Sequence, residues 1–383
     1  MMKCLYMDNA ATTPMDSRVA AAMKPFLSGK FGNASSLHSF GQEAKEALEE
    51  SRTALAKAIG AQPDEIVFTS GGTESDNMAL KGILKRGDHL ITSNIEHHAV
   101  LHTAQYLETQ GVQVTYLEAD KYGLVSPSDV EKTIRSNTKL VSIMHANNEI
   151  GTIEPIAEMG KICRARGILF HTDAVQSFGK LPIDVGKMNI DMLSASAHKL
   201  YGPKGAGLLY IRSGVRPAPL LHGGGHEKNR RSGTENVAGA VGFAKAAEIA
   251  LKEMNAETAR MTVLSARLRK NILKIPDSCL NGHPEKRLQC INNFRFAGIE
   301  GESLVIHLDM QGVAASTGSA CSSRSLEPSH VLVAIGLKHA DAHGSLRLSL
   351  GRQNAPADVD YVARILPDIV KNLRRISPLA RGM

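Results

Sequence analysis

The chain runs to 383 residues, of which 43% are hydrophobic and 22% charged, enough for a substantial core and for more than one domain. Its formal charge of +7 comes from lysines and arginines spread along the sequence, with only 4% aromatics; this suits an anionic ligand or acidic partner but speaks against direct nucleic-acid binding. No apolar run of signal-peptide length follows Met1, and no later stretch is long enough to span a bilayer, so a cytoplasmic protein without membrane contact is expected.

In chain order, a helical pattern over 41–59 stops at Gly60, and short β-rich runs then alternate with helical patterns up to residue 211. Strands are expected at 65–69, 89–93, 112–117, 139–145, 168–172, 191–196 and 206–211. Helices are expected at about 74–86, at 127–136 after Ser126, and at 155–166, the last two opening on proline. The alternation predicts an α/β fold with a seven-stranded, mostly parallel sheet covered by helices. A basic glycine-rich loop with Gly223-Gly224-Gly225 and Arg230-Arg231-Ser232-Gly233, expected to be flexible, leads into two helical patterns at 235–254 and 258–274. The second crosses into a smaller domain, where strands near 289–296, 313–317 and 345–350 and helices near 301–310, 328–336 and 356–375 predict a compact α/β sandwich. The expected division is 16–257 for the large domain, with 1–15 and 258–383 forming the small one.

Ligands of open parallel sheets bind beyond the carboxyl ends of the strands. The strand at 65–69 runs into Ser70-Gly71-Gly72-Thr73-Glu74 and then a helix. Two glycines there permit a tight turn, and N–H groups at the helix start, with the Thr73 hydroxyl, favour a phosphate. By itself a Gly-Gly pair before a helix is an ordinary turn. The strand at 168–172 is followed by Asp173 and Gln176, and the strand at 191–196 by Ala197-His198-Lys199. A carboxylate at the first place can hold a pyridine nitrogen protonated, and a lysine at the second can form an imine with an aldehyde. Together they describe an electron-sink cofactor.

Around these residues the sequence resembles the aminotransferase class-V branch of the fold-type I pyridoxal-phosphate (PLP) enzymes, and within it the cysteine desulfurases of the iron–sulfur-cluster assembly type. The resemblance runs nearly end to end through YMDNAATTP (6–14), FGNASSLH (31–38), FTSGGTESDN (68–77), EHHAVL (96–101), HANNEIGT (145–152), HTDAVQS (171–177), SAHKLYGPKG (196–205), HGGGHEKNRRSGTEN (222–236), GSACSSRSLEPSHVL (318–332) and SLRLSLGR (345–352). It implies a PLP imine on Lys199, Asp173 on the pyridinium nitrogen, and the phosphate on Gly72, Thr73, Ser196 and His198. Thr234 would reach the phosphate from a second subunit, so the resemblance implies a homodimer. Asn148 and Gln176 would bond the ring's phenolic oxygen, His97 would stack on the ring, and Arg347 would hold the substrate carboxylate. The sequence departs from the family where Gly72 and Ala197 stand at places often held by alanine and glycine, and where His98 replaces a frequent lysine.

Five cysteines at irregular spacing, Cys4, Cys163, Cys279, Cys290 and Cys321, with no CxxC pair, suggest neither a zinc site nor a disulfide framework. Four are expected to be small buried apolar residues. Cys321 differs, because Ser316-Thr317-Gly318-Ser319-Ala320 and Ser322-Ser323-Arg324-Ser325 around it could not bury it well. The resemblance makes Cys321 the nucleophile that takes sulfur from L-cysteine, leaving alanine and a Cys321 persulfide, with freed Lys199 as the base and His97 as a proton carrier. It further implies an iron–sulfur scaffold protein and other sulfur acceptors as partners, and Cys321 as a potential ligand to a [2Fe-2S] cluster shared with that scaffold. Selenocysteine cleavage, another PLP reaction, or a non-catalytic assembly role stay open as alternatives. The short tail from Ser377 to Met383 stands where relatives have a longer docking segment.

Overall fold

The computed structural model describes residues 4–317 and 328–378. Its strands are β1 (Leu5–Tyr6), β2 (Ile66–Thr69), β3 (His89–Ser93), β4 (Gln113–Leu117), β5 (Thr138–Ser142), β6 (Leu169–Asp173), β7 (Met192–Ser196), β8 (Gly207–Ile211), β9 (Ser278–Asn281), β10 (Ile291–Phe296), β11 (Val313–Ala314) and β12 (Ser345–Ser349). The seven strands expected between residues 65 and 211 all join one sheet, in the order β2-β8-β7-β6-β5-β3-β4. Every pairing is parallel except the two made by β8, which runs against its neighbours.

Both faces of this sheet are covered, so its strands read as apolar runs with successive side chains entering different cores. Val141, Leu193 and Leu208 join a core with Leu55, Phe170 and Phe243, whereas Leu140, Met192 and Leu209 pack with Met78, Leu80 and Val100 on the other side. A third core gathers Leu5, Met7, Leu268, Phe294, Leu346, Leu348 and Val362 around the antiparallel sheet β12-β10-β9 and the parallel pair β1-β11. Ser349 and Asp8 form a further parallel bridge, which ties the N-terminal segment to β12.

The two helices expected at 235–254 and 258–274 are one helix, Val237–Ile272. After Gly242 it holds no glycine or proline, and Asn255 and Thr258 are too few among alanine, glutamate and arginine to break it. Its first half packs into the large sheet's core through Phe243 and Ala247, and its second half into the third core through Leu264 and Leu268. Strand β9 and the helices Ser17–Met23, His98–Thr109 and His339–His343 had no distinct pattern in the sequence. The expectation for the cysteines needs correction: Cys163 is buried and Cys290 half-buried, but Cys4 and Cys279 are exposed. Cys4 precedes a two-residue strand and Cys279 sits on a strand with one neighbour, positions with too little cover to bury them.

Candidate active site

At the carboxyl edge of the large sheet lies a cavity of about 370 Å³. The segments after β2 and β3 contribute Gly72, Thr73 and His97; those after β5 and β6 contribute Asn148 and Gln176, with Asp173 ending β6. Ser196 closes β7 and leads into His198 and Lys199, and Arg347 reaches the same cavity from β12. Ten of the residues singled out in the sequence therefore converge. Thr234 does not line the cavity and is exposed. Cys321 lies outside the described residues.

Helix Gly72–Ile83 starts where β2 ends, which turns its first N–H groups toward this space. Gly72 is pressed so closely against the segment after β6 that a Cβ would lie 2.6 Å from Val175 Cγ2. Asp173 is buried, and its Oδ1 accepts the Val175 N–H at 2.8 Å. Burial pushes its pKa up, against the pull of that N–H and of the Lys199 charge. Asp76, one turn into the helix, is buried too, and its Oδ1 has no hydrogen-bond partner among the described residues. Burial and the Asp173 charge hold its pKa well above the carboxylate range. Two such carboxyls cannot both ionise unless a cation joins them. His171, bonded to Ser142 and Ser194, is not that cation, because burial pushes its pKa down to about 3.

Lys199 Nζ donates to the Ala10 carbonyl at 2.6 Å and to the Ala11 carbonyl at 2.8 Å. Gln176 Nε2 donates to the Ala10 carbonyl as well, at 2.9 Å. His97 caps the helix His98–Thr109, its Nδ1 accepting the Ala99 N–H at 3.1 Å. Burial, with the Lys199 and His98 charges, lowers its pKa to about 4, so the ring is neutral at pH 7 and carries its proton on Nε2. Asn147 is turned inward and bonds to Ile95, Glu149 and Ile150, which leaves Asn148 to face the cavity. Arg347, only 2% exposed, donates from Nη1 to the Asn148 carbonyl and from Nη2 to Asp8, each at 2.9 Å. Its Nε has no hydrogen-bond partner among the described residues.

The loop between Gly223 and Gly233 is anchored at two points. Buried Glu227 pairs with buried Arg52 at 2.8 Å and accepts the Phe68 N–H, and Arg231 pairs with Glu74 at 2.8 Å. Sequence reasoning passed over Asp76, Glu96 and His330. Glu96 accepts from the Ser93 hydroxyl at 2.6 Å and the Met144 N–H at 3.0 Å, and burial raises its pKa to about 8. His330 bonds the Glu96 carbonyl at 2.9 Å, with its ring 4.6 Å from that of His98. The available signal for Asp76 was its place four residues after Gly72, on the same helix face.

The family model for aminotransferase class-V matches residues 5–362. The chain belongs to the aminotransferase class-V family. Among its relatives, a protein of Methanosarcina thermophila named cysteine desulfurase IscS is 55% identical over 381 residues, covering 98% of this chain and 94% of that protein. A solved NifS-like protein superposes with a TM-score of 0.91 at 40% identity, covering 97% of this chain and 100% of that one. A structure of SspA in complex with cysteine gives a TM-score of 0.81 at 41% identity, covering 90% and 98%.

PLP is the cofactor of this class-V branch, and the cavity fits it. Asp173 and Asp76 are two buried carboxyls that a protonated pyridine nitrogen can join. The helix start at Gly72 and Thr73, with Ser196 and His198, offers donors for a phosphate. Lys199 offers a primary amine of the kind an aldehyde cofactor can bond.

Proposed function

We propose that this chain takes sulfur from L-cysteine, releasing L-alanine and leaving a persulfide on Cys321 that is passed on for iron–sulfur cluster assembly. The observation that carries the reading is the convergence, in one cavity, of a lysine, a buried carboxyl pair, and a buried guanidinium from the other sheet. Bound through Lys199, PLP supplies the electron sink that makes the substrate Cα–H bond acidic.

The chain's own groups do the rest. Arg347 holds the substrate carboxylate, using the fork whose Nε has no partner among the described residues. Asp173 keeps its negative charge toward the ring nitrogen, and Asp76 remains protonated beside it. Gly72, Thr73, Ser196 and His198 fix the phosphate, and Asn148 and Gln176 orient the ring. Lys199, once its nitrogen is released, takes the Cα proton. Neutral His97, covering the ring, moves a proton at Nε2 to or from the reacting sulfur. Cys321, as thiolate, attacks the substrate sulfur; the carbon–sulfur bond breaks as the sulfur–sulfur bond forms, and the carbon is then protonated to give alanine.

The reading includes a homodimer. Exposed Thr234, together with Leu27, Phe31, Leu37 and Phe40, which are each at least 53% exposed, supports a partner subunit covering this side, with Thr234 reaching the partner's phosphate site. It also includes the division into 16–257 and 1–15 with 258–383, which the separate apolar cores support, a cytoplasmic setting, a scaffold protein as acceptor, and Cys321 as a ligand to a [2Fe-2S] cluster shared with that scaffold. Among the described residues no helix is long and apolar enough to cross a membrane. Absorbance of the purified protein tests the cofactor assignment: a PLP imine band is expected and is lost in Lys199→Ala, whereas its persistence there would overturn the assignment.

A further inference from the structure

The segment from Asp8 to Thr13 is fastened at both ends. Asn9 Nδ2 donates to the Ser349 carbonyl and the Ala10 N–H to Ser349 Oγ, each at 2.9 Å, while Thr13 donates from its N–H at 3.0 Å and its hydroxyl at 2.9 Å to the His198 carbonyl. Between these anchors the backbone turns, the Ala11 N–H closing on the Asp8 carbonyl at 3.0 Å. Two successive carbonyls, Ala10 and Ala11, thereby face one amine, Lys199 Nζ, at 2.6 and 2.8 Å. Alanine at both positions brings no side chain that would hold the lysine off.

We infer that these two carbonyls are the seat of the Lys199 ammonium after it has taken the substrate proton, which makes the Asp8–Thr13 strap a positioning element for that step. The inference rests on the reading of Lys199 as base. In the step, the Cα–H bond breaks, its electron pair stays with the substrate and cofactor, and the proton bonds to the lone pair of Nζ. A neutral amine donates weakly to carbonyls; an ammonium donates strongly. The seat thus favours the product side of the proton transfer and lowers its barrier. Ser349 Oγ accepts the Ala10 N–H while Gln176 Nε2 donates to the Ala10 carbonyl, and Ser349 stands on β12 two residues from Arg347. The strap therefore joins the strand that grips the carboxylate to the lysine that moves the proton.

The test uses Ser349→Ala, the fuller release Asn9→Ala/Ser349→Ala, and Ser349→Thr, which keeps a hydroxyl. One readout is the rate at which the cofactor-free full chain takes up pyridoxal 5'-phosphate as a function of pH, because only the neutral amine reacts. Its midpoint should fall by about one pH unit in Ser349→Ala, further in the double variant, and return in Ser349→Thr. The second is exchange of the L-alanine Cα proton with heavy water in the reloaded enzyme, per cofactor bound, expected to slow about tenfold in Ser349→Ala and to recover in Ser349→Thr. A role confined to folding would lower cofactor content without moving either quantity. Unchanged midpoint and exchange in both Ser349→Ala and the double variant would overturn the inference. If Lys199→Ala still forms the imine band, the underlying reading falls instead; if that band is lost while the strap variants behave as wild type, only the seat is refuted.

Discussion

Replacing Arg347 by glutamine tests the carboxylate site through a quantity that a structural role leaves unchanged. The guanidinium is only 2% exposed, with Nη1 and Nη2 engaged by Asn148 and Asp8 and Nε without a partner among the described residues. A hydrogen bond to a charged group contributes about 1.5–3 kcal/mol, so losing two to the substrate carboxylate costs about 3 kcal/mol or more, at least about 100-fold in affinity. The same substitution leaves Asp8, whose side chain is 19% exposed, without its partner, so some loss of fold stability accompanies it. Comparing L-alanine with ethylamine separates the two effects, because both offer an amine to the cofactor and only one carries a carboxylate. Titrated by cofactor absorbance, wild type should prefer L-alanine strongly and Arg347→Gln should lose about 100-fold of that preference. Equal weakening of both ligands would refute the assignment and leave Arg347 as a tie between β12 and the Asn148 loop.

Glu96 is protonated in the folded chain up to about pH 8 but ionises near 4.5 when unfolded. Its folded pKa is raised, so its contribution is complete below pH 4.5 and is lost as pH rises to 8, at about 1.4 kcal/mol per pH unit. Glu96→Gln should therefore gain about 4 kcal/mol on wild type between pH 5 and pH 8 in urea unfolding; parallel curves would show that burial does not raise this group. Gly72→Ala forces a Cβ to 2.6 Å from Val175 Cγ2 and should destabilise the chain by about 1–3 kcal/mol, with looser cofactor binding. Val175→Ala in the same chain should restore both, and additive losses in that double-mutant cycle would contradict the contact.

Much of this was legible in the sequence because parallel strands read as short apolar runs and the residues after them carry the chemistry. Lys199, Asp173 and Gly72 all follow from that rule, and the seven strands differ from expectation mainly at their ends. Cys4 and Cys279 were misread because composition around a cysteine does not reveal how many neighbours a strand has. The continuous helix Val237–Ile272 was divided because two weak helix formers near Asn255 resemble a loop until tertiary packing on both cores holds them. Asp76 escaped notice for another reason: its significance lies in its burial next to the Asp173 charge, which spacing in the sequence does not reveal. The Ala10 and Ala11 carbonyls escaped because backbone acceptors leave no mark on residue type.

The most direct measurement follows a single turnover of purified enzyme with L-cysteine and no acceptor, quantifying alanine and locating the sulfur by mass. About one alanine per bound cofactor and one added sulfur on Cys321 are expected, while Cys321→Ser should keep the cofactor band and form no alanine. Alanine formed at the wild-type rate by Cys321→Ser, or sulfur found on another residue, would contradict the account.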